Sequence, residues 1–207
     1  MSIIMEIIIH RATKNDFLIT ENITREAFWN IYRPGCVEHL ILHNLRNSKS
    51  YIKELDLVAF VENKITGHIL SSKAKIVDIS GNEHEILCVG PLSVLPDFQK
   101  KRIGSMLLKH SIETAKELGF SGMILFGNPD FYHPFGFRNA QEYGITTKED
   151  QNFEAFMALE LQKNGLDTIK GRFFEDNAFE MNPDELVEFE KNFDYKEKLV
   201  TDTQFRN

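Results

Sequence analysis

The sequence predicts an α/β (α+β) fold built on one mixed sheet flanked by helices, and two stretches predict it. The first is a strand, helix, strand succession. Ile86 to Val94 is apolar, Ile103 to Leu118 carries a helical pattern, and Gly122 to Phe126 is again short and apolar. Two strands joined through a crossover helix run parallel. The second is a pair of strand-like runs, Leu55 to Glu62 and Lys64 to Asp78, which turn at Glu62-Asn63-Lys64 and pair antiparallel.

The elements follow in order. Met5 to His10 reads as the first strand. Thr13 or Asn15 can cap a helix running to about Tyr32, where Arg33-Pro34-Gly35 breaks it. A second helix spans Val37 to Asn47. In the antiparallel pair, Val58 to Val61, Ile65 and Ile69 supply the apolar positions, and Ser80-Gly81-Asn82 turns into the next strand. Gly90-Pro91 interrupts that strand, which predicts a bulge or kink. In the helix that follows, Ile103, Leu107, Leu108, Ser111, Ala115 and Leu118 share one face, with Lys109, Glu113, Lys116 and Glu117 opposite. Gly119 closes it. Phe153 to Leu161 and Thr168 to Phe174 are further strands, and Asn182 with Pro183, Asp184 and Glu185 opens a last helix.

Composition bounds the function. The chain has 207 residues, 42% hydrophobic, which suffices for one domain with a proper core. Its formal net charge of −7 argues against general nucleic-acid binding. The charge is uneven: residues 175–207 hold ten acidic and four basic side chains, leaving the body close to neutral. The expected division is a domain over 1–174 and an acidic extension over 175–207 with one helix, packed on the same domain. Only Cys36 and Cys88 are present, too few for a disulfide scaffold, and Cys88 on an apolar strand reads as inert core. The N-terminal run lacks a basic lead and a cleavage site, and no apolar run reaches membrane-spanning length. The expectation is a cytoplasmic protein with no membrane and no nucleic-acid partner, a homodimer being open as its assembly.

Function concentrates where the strand ending at Val94 meets the helix starting at Ile103. Lys100, Lys101 and Arg102 precede a helix start whose free N–H groups and positive dipole end favour an anion, a diphosphate most naturally. The other reading is a solvated connection. A nucleotide P-loop is excluded because its glycine spacing and Lys-Ser/Thr pair are missing, and a dinucleotide fingerprint fails for want of three glycines.

Val94, Pro96, Gln99 and Gly104 make this run resemble motif A of the GNAT superfamily of N-acetyltransferases, Gln/Arg-x-x-Gly-x-Gly/Ala after a Val-x-Pro strand end. Arg102 stands where that motif has its first glycine. Phe131-Tyr132-His133-Pro134-Phe135-Gly136-Phe137 resembles the family's Phe-Tyr-x-x-x-Gly-Phe ending. Pro34-Gly35-Cys36, with Glu38 and His39 behind it, and Ala155 to Leu161 extend the likeness to uncharacterised bacterial and archaeal branches.

The resemblance implies a mostly antiparallel sheet whose parallel pair splays to admit acetyl-CoA, and transfer of an acetyl group to an amine of a small molecule or peptide within a ternary complex. It implies that backbone groups of Leu92, Ser93 and Val94 meet the pantetheine, an N–H (that of Leu92 first) polarising the acetyl carbonyl. Gln99, Lys100, Lys101, Arg102, Ile103, Gly104 and Ser105 would wrap the pyrophosphate, with Asn128 beside the cofactor or simply a turn residue near Pro129. At Arg102 an ordinary φ is expected, so that the guanidinium adds a phosphate contact. Tyr132 takes the family's place for the general acid, against a packing role among Phe131, Phe135 and Phe137. Glu85 is the first candidate for the base, with His84, Glu160 and His133 behind it.

Trp29, Tyr32, Cys36, Glu38 and His39 are expected to wall the acceptor, being polar and aromatic types at a helix junction. Cys36, His39 and His43 share a helical face but lack a fourth ligand, so no metal is expected. The alternative function is an acyl-CoA-binding or regulatory module that kept the fold without the chemistry.

Overall fold

The structure, a computed structural model, describes residues 6–202 and 204. Strand β1 (Ile8–Arg11) leads through a 3₁₀ turn into α1 (Phe17–Phe28), and α2 (Glu38–Asn47) follows the Pro34-Gly35 break. Then come β2 (Asp56–Val61), β3 (Lys64–Val77), β4 (Glu83–Val94), α3 (Ile103–Glu117), β5 (Gly122–Phe126) and the one-turn α4 (Pro129–Tyr132). Strands β6 (Arg138–Asn139), β7 (Ile145–Thr146), β8 (Phe156–Glu160) and β9 (Gly171–Phe174) precede α5 (Pro183–Glu190). The expected first strand lies slightly later than its periodicity suggested, and Met5 falls outside the described residues. The two-residue strands β6 and β7 carry too little sequence to show a period.

The strands form one mixed sheet in the order β1-β2-β3-β4-β5-β8-β6, with β9 joining the far end of β3 and pairing β7. Its neighbours are antiparallel except β4–β5 and β7–β9. The β2–β3 hairpin turns through Glu62 and Asn63, both at positive φ (49° and 63°), as a twisted two-residue hairpin requires. On one face α3 lays Ile103, Leu107 and Leu108 against Leu57, Ala59, Ile69, Leu87 and Met123. Gly67 makes this approach close: a Cβ there would sit 2.9 Å from Ile103 Cγ2. On the other face α1 and α2 cover β2 and β3, while Ala140, Ile145, Phe156, Leu166 and Phe173 cover β4 and β5.

Under α1 and α2 lies a buried ionic cluster. Arg46 donates to Asp56 through Nε (2.9 Å) and Nη2 (3.1 Å), and to the Thr20 hydroxyl (2.9 Å). His68 Nε2 lies 2.7 Å from the same carboxylate, and Tyr51 donates to it at 3.0 Å. Burial opposes charge on Asp56, but His68 and Arg46 outweigh it and hold the carboxyl well below the usual range.

The described part of the acidic tail is bound to the domain at several points. Asn182 caps α5, accepting from Asp184 N–H (3.0 Å) and Glu185 N–H (3.3 Å). Glu190 then receives the buried Arg25 guanidinium (2.8 Å), and Lys196 reaches Glu26 (2.7 Å). Trp29 Nε1–H donates to the Glu197 carbonyl at 2.9 Å, and Asn30 accepts from Leu199 N–H at 3.0 Å. The segment therefore straps the outer faces of α1 and α2.

Candidate active site

Strands β4 and β5 pair in register only at Leu87–Met123 and Cys88–Ile124. Beyond that, β4 runs on to Val94 with β3 as its partner, while β5 ends at Phe126, so the two diverge into a V. Between Ile69–Leu92 and Ser71–Val89 the β3–β4 register shifts, setting Gly90 and Pro91 against Leu70 alone. That is the expected bulge, and it lies at the mouth of the V. An antiparallel strand points its backbone groups alternately to either side, so a strand with one partner keeps half of them free. Leu92 and Val94 face the α3 side, whereas Ser93 points to α1 and meets the Thr24 hydroxyl at 2.9 Å.

The turn after Val94 is tightly folded and gathers free backbone N–H groups at the start of α3. Gln99 Nε2 donates back to the Val94 carbonyl (3.1 Å), and Lys101 Nζ donates to the Asp97 carbonyl (2.8 Å), which stitch the turn shut. The first bond of the α3 ladder runs from Met106 N–H to the Arg102 carbonyl (3.0 Å), so Ile103, Gly104 and Ser105 present N–H groups outside it. Lys100 and Arg102 lie at φ 60° and 67°. Left-handed residues in such a turn gather successive N–H groups into a concave nest. The expectation of an ordinary φ at Arg102 is thus corrected. The residue holds the left-handed geometry that glycine suits, its side chain accommodated by pointing into solvent.

Helix α4 closes the V from the α3 side. Asn128 Oδ1 accepts from Asp130 N–H at 3.0 Å and Pro129 takes the first helical position, so this asparagine caps a turn. Phe131 and Val94 flank Gly104: Phe131 Cζ and Val94 Cγ2 each lie 3.7 Å from where a Gly104 Cβ would stand. Tyr132 packs against Gly127, where a Cβ would collide with its ring, and meets Phe137 edge-on. Burial, with a smaller effect of Tyr32, raises the phenol to about 12. It therefore stays protonated at neutral pH and can donate.

The other expected site residues separate. Tyr32 is exposed in the connection after α1 and near enough to Tyr132 to influence it. Trp29, Cys36 and His39 are buried under the strap and line no open cleft, contrary to expectation. Cys36 Sγ lies 3.4 Å from His39 Nδ1, and burial raises its thiol beyond the ordinary range. His39 Nε2 stands 2.6 Å from Glu190, and burial lowers the ring to about 4, leaving it neutral. Glu38 turns its carboxylate onto Val37 N–H (2.9 Å) and is raised by burial. Among the described residues no His, Cys, Asp and Glu group fit to hold a metal was found.

Glu85 sits on the exposed start of β4, bound to Lys73 at 2.9 Å. Seven residues of strand, roughly 20 Å at about 3.3 Å each, separate it from Leu92. His84 meets Asp78 at 3.1 Å, and Glu160 accepts from Asn164 and Leu166 N–H groups. Glu175, which follows β9, brings its Oε1 to 3.9 Å from the Cys88 thiol, at the last β4–β5 pair. No local pattern marks Glu175, because only the β3–β9 pairing delivers it.

Residues 20–137 match the model of the acetyltransferase (GNAT) family. The chain is 24% identical over 135 residues to YhbS of Escherichia coli K12, a protein named as an uncharacterised N-acetyltransferase, covering 65% of this chain and 78% of that one. The crystal structure of E. coli YhbS in complex with CoA superposes with a TM-score of 0.75 at 20% identity, over 86% of this chain and 93% of that one. A GNAT acetyltransferase from Brucella melitensis, solved in complex with acetyl-CoA, gives 0.69 at 26% identity, over 84% and 99%.

Proposed function

The chain belongs to the GNAT family of acetyltransferases, and from that premise we propose that it passes the acetyl group of acetyl-CoA to a primary amine by direct attack in a ternary complex. One observation carries this reading: β4 and β5 part just before the turn whose N–H groups gather at the start of α3, and Tyr132, a protonated phenol, packs in the same cluster as Leu92, Val94 and Ile103.

Acetyl-CoA supplies an activated thioester, and the protein's residues do the rest. The nest from Lys100 to Ser105 takes the pyrophosphate, with the α3 dipole behind it. Backbone N–H groups freed by the Gly90-Pro91 bulge, that of Leu92 first, stabilise the oxygen that gains charge during attack. The amine nitrogen bonds the carbonyl carbon as the carbon–sulfur bond breaks. Tyr132 gives its proton to the departing sulfur, and the surplus amine proton leaves through a base on the far side of the V.

Initial-rate kinetics with both substrates varied test the ternary complex. Intersecting double-reciprocal lines are expected. Parallel lines, the mark of an acetylated enzyme, would contradict direct attack.

A further inference from the structure

Resting on that acetyltransfer reading, we propose that the acceptor is a cationic arylalkyl or alkyl amine lacking a carboxylate, held in the cavity between Phe126 and Glu175, and that Glu175 takes its proton. The cavity, about 330 Å³, is lined by Phe126, Phe153, Phe173, Phe179 and Glu175 among others. It opens on the face of the sheet opposite Tyr132. Side chains alternate along β5, so Ile124 and Phe126 share this face while Met123 and Leu125 face α3, where Tyr132 packs. Phe126 lies two residues past the last β4–β5 pair, about 7 Å along the strand, at the edge of the V. A thioester carbonyl in the V would thus have its leaving group on the Tyr132 side and its attacker on the Phe126 side.

The walls suit an ammonium on a hydrocarbon body. Phe126 and Phe153 stack at 5.9 Å yet remain 42% and 46% exposed, which leaves aromatic faces open inside a concavity. Such faces attract apolar groups and cations alike. The charged lining residues are Lys148, Glu149, Glu175, Asp176 and Glu180. Lys148 and Glu149 lie 3.9 Å apart, and Asp176 is taken up by the hydroxyls of Ser48 (2.7 Å) and Ser50 (2.6 Å). Glu175 is partly buried with no ion pair within 4 Å among the described residues, Lys148 acting on it from farther off, and its hydrogen bond is the long one from Cys88. Burial raises its carboxyl, which brings it closer to the working range of a base. A carboxylate on the ligand would meet a wall with four carboxylates and one ammonium.

The step balances. Glu175 accepts a proton from the ammonium, directly or through one water, which frees the nitrogen lone pair. The carbon–nitrogen bond forms and the carbon–sulfur bond breaks. Tyr132 protonates the sulfur and is reprotonated from solvent, while the second nitrogen proton follows the first through Glu175. Glu175 returns both protons to solvent, giving amide, thiol and a net one proton per turnover.

Thiol release from saturating acetyl-CoA with 2-phenylethylamine or phenylalanine as acceptor tests this, beside acetyl-CoA titration of each variant. The amine without the carboxylate is expected to win by at least tenfold in kcat/KM. Glu175→Gln is expected to lose at least a hundredfold in kcat/KM and to bind acetyl-CoA as the parent does, and Phe126→Ala to raise KM more than it lowers kcat. Equal or better use of phenylalanine, an active Glu175→Gln protein, or no thiol release with either amine despite acetyl-CoA binding would each overturn the proposal. Failure of the parent to bind acetyl-CoA would instead overturn the acetyltransfer reading beneath it.

Discussion

Replacing Arg102 with glycine separates two effects that the cofactor turn combines. The residue stands at φ 67°, ψ 4°, a conformation that costs an L-residue about 1–2 kcal/mol. Glycine removes that strain but loosens the unfolded chain by roughly 0.4–1 kcal/mol. The net stabilisation is about 0.5–1 kcal/mol, which raises Tm by about 1–4 °C in a domain of this size. In exchange the turn loses one exposed cation beside the pyrophosphate. An interaction of that kind is worth about 0.2–1 kcal/mol, so Kd for CoA should weaken by up to about fivefold. The loss should fade at high salt, where the screening length drops to about 3 Å. Thermal unfolding and calorimetric CoA titration of Arg102→Gly at low and high salt measure both. A lowered Tm, or an unchanged low-salt affinity, would refute the reasoning.

Tyr132→Phe should lower kcat by about a hundredfold, the scale of one lost general acid, and leave CoA affinity nearly intact; unchanged turnover would remove the phenol from the chemistry. Arg46→Met leaves Asp56 charged and buried without its main partner and should destabilise the fold by about 3–5 kcal/mol in urea unfolding. Asp56 also sets an acid limit. Its folded pKa lies below the unfolded value near 4, so its stabilisation is complete above that value and is lost as pH falls toward the folded one. Asp56→Asn should flatten this arm of the stability curve. Glu190→Gln withdraws the charge that faces buried Arg25 and His39, and should release the strap to limited proteolysis within residues 191–202.

Local periodicity made most of the fold legible. The α3 face, the β2–β3 hairpin and the α5 cap stand in the sequence because each is written over a few neighbouring residues. The backbone of the proposed cofactor side was legible for the same reason, since strand end, turn and helix start are contiguous. The acceptor side was not. Trp29, Cys36 and His39 look like pocket walls until α5 and the segment after it, some 150 residues away in sequence, lie across them. Glu175 reaches the V only through the pairing of β9 with β3, a long-range register that no short window encodes. The left-handed backbone at Lys100 and Arg102 was equally hidden, because neither residue type signals positive φ.

The central claim is that the V between β4 and β5 and the turn before α3 together bind acetyl-CoA. Calorimetric titration of the full chain with acetyl-CoA at low salt tests it most directly. One site per chain with a micromolar dissociation constant, competed by CoA and weakened by salt, is the predicted result. No heat at high micromolar concentration, or binding indifferent to salt, would contradict the account.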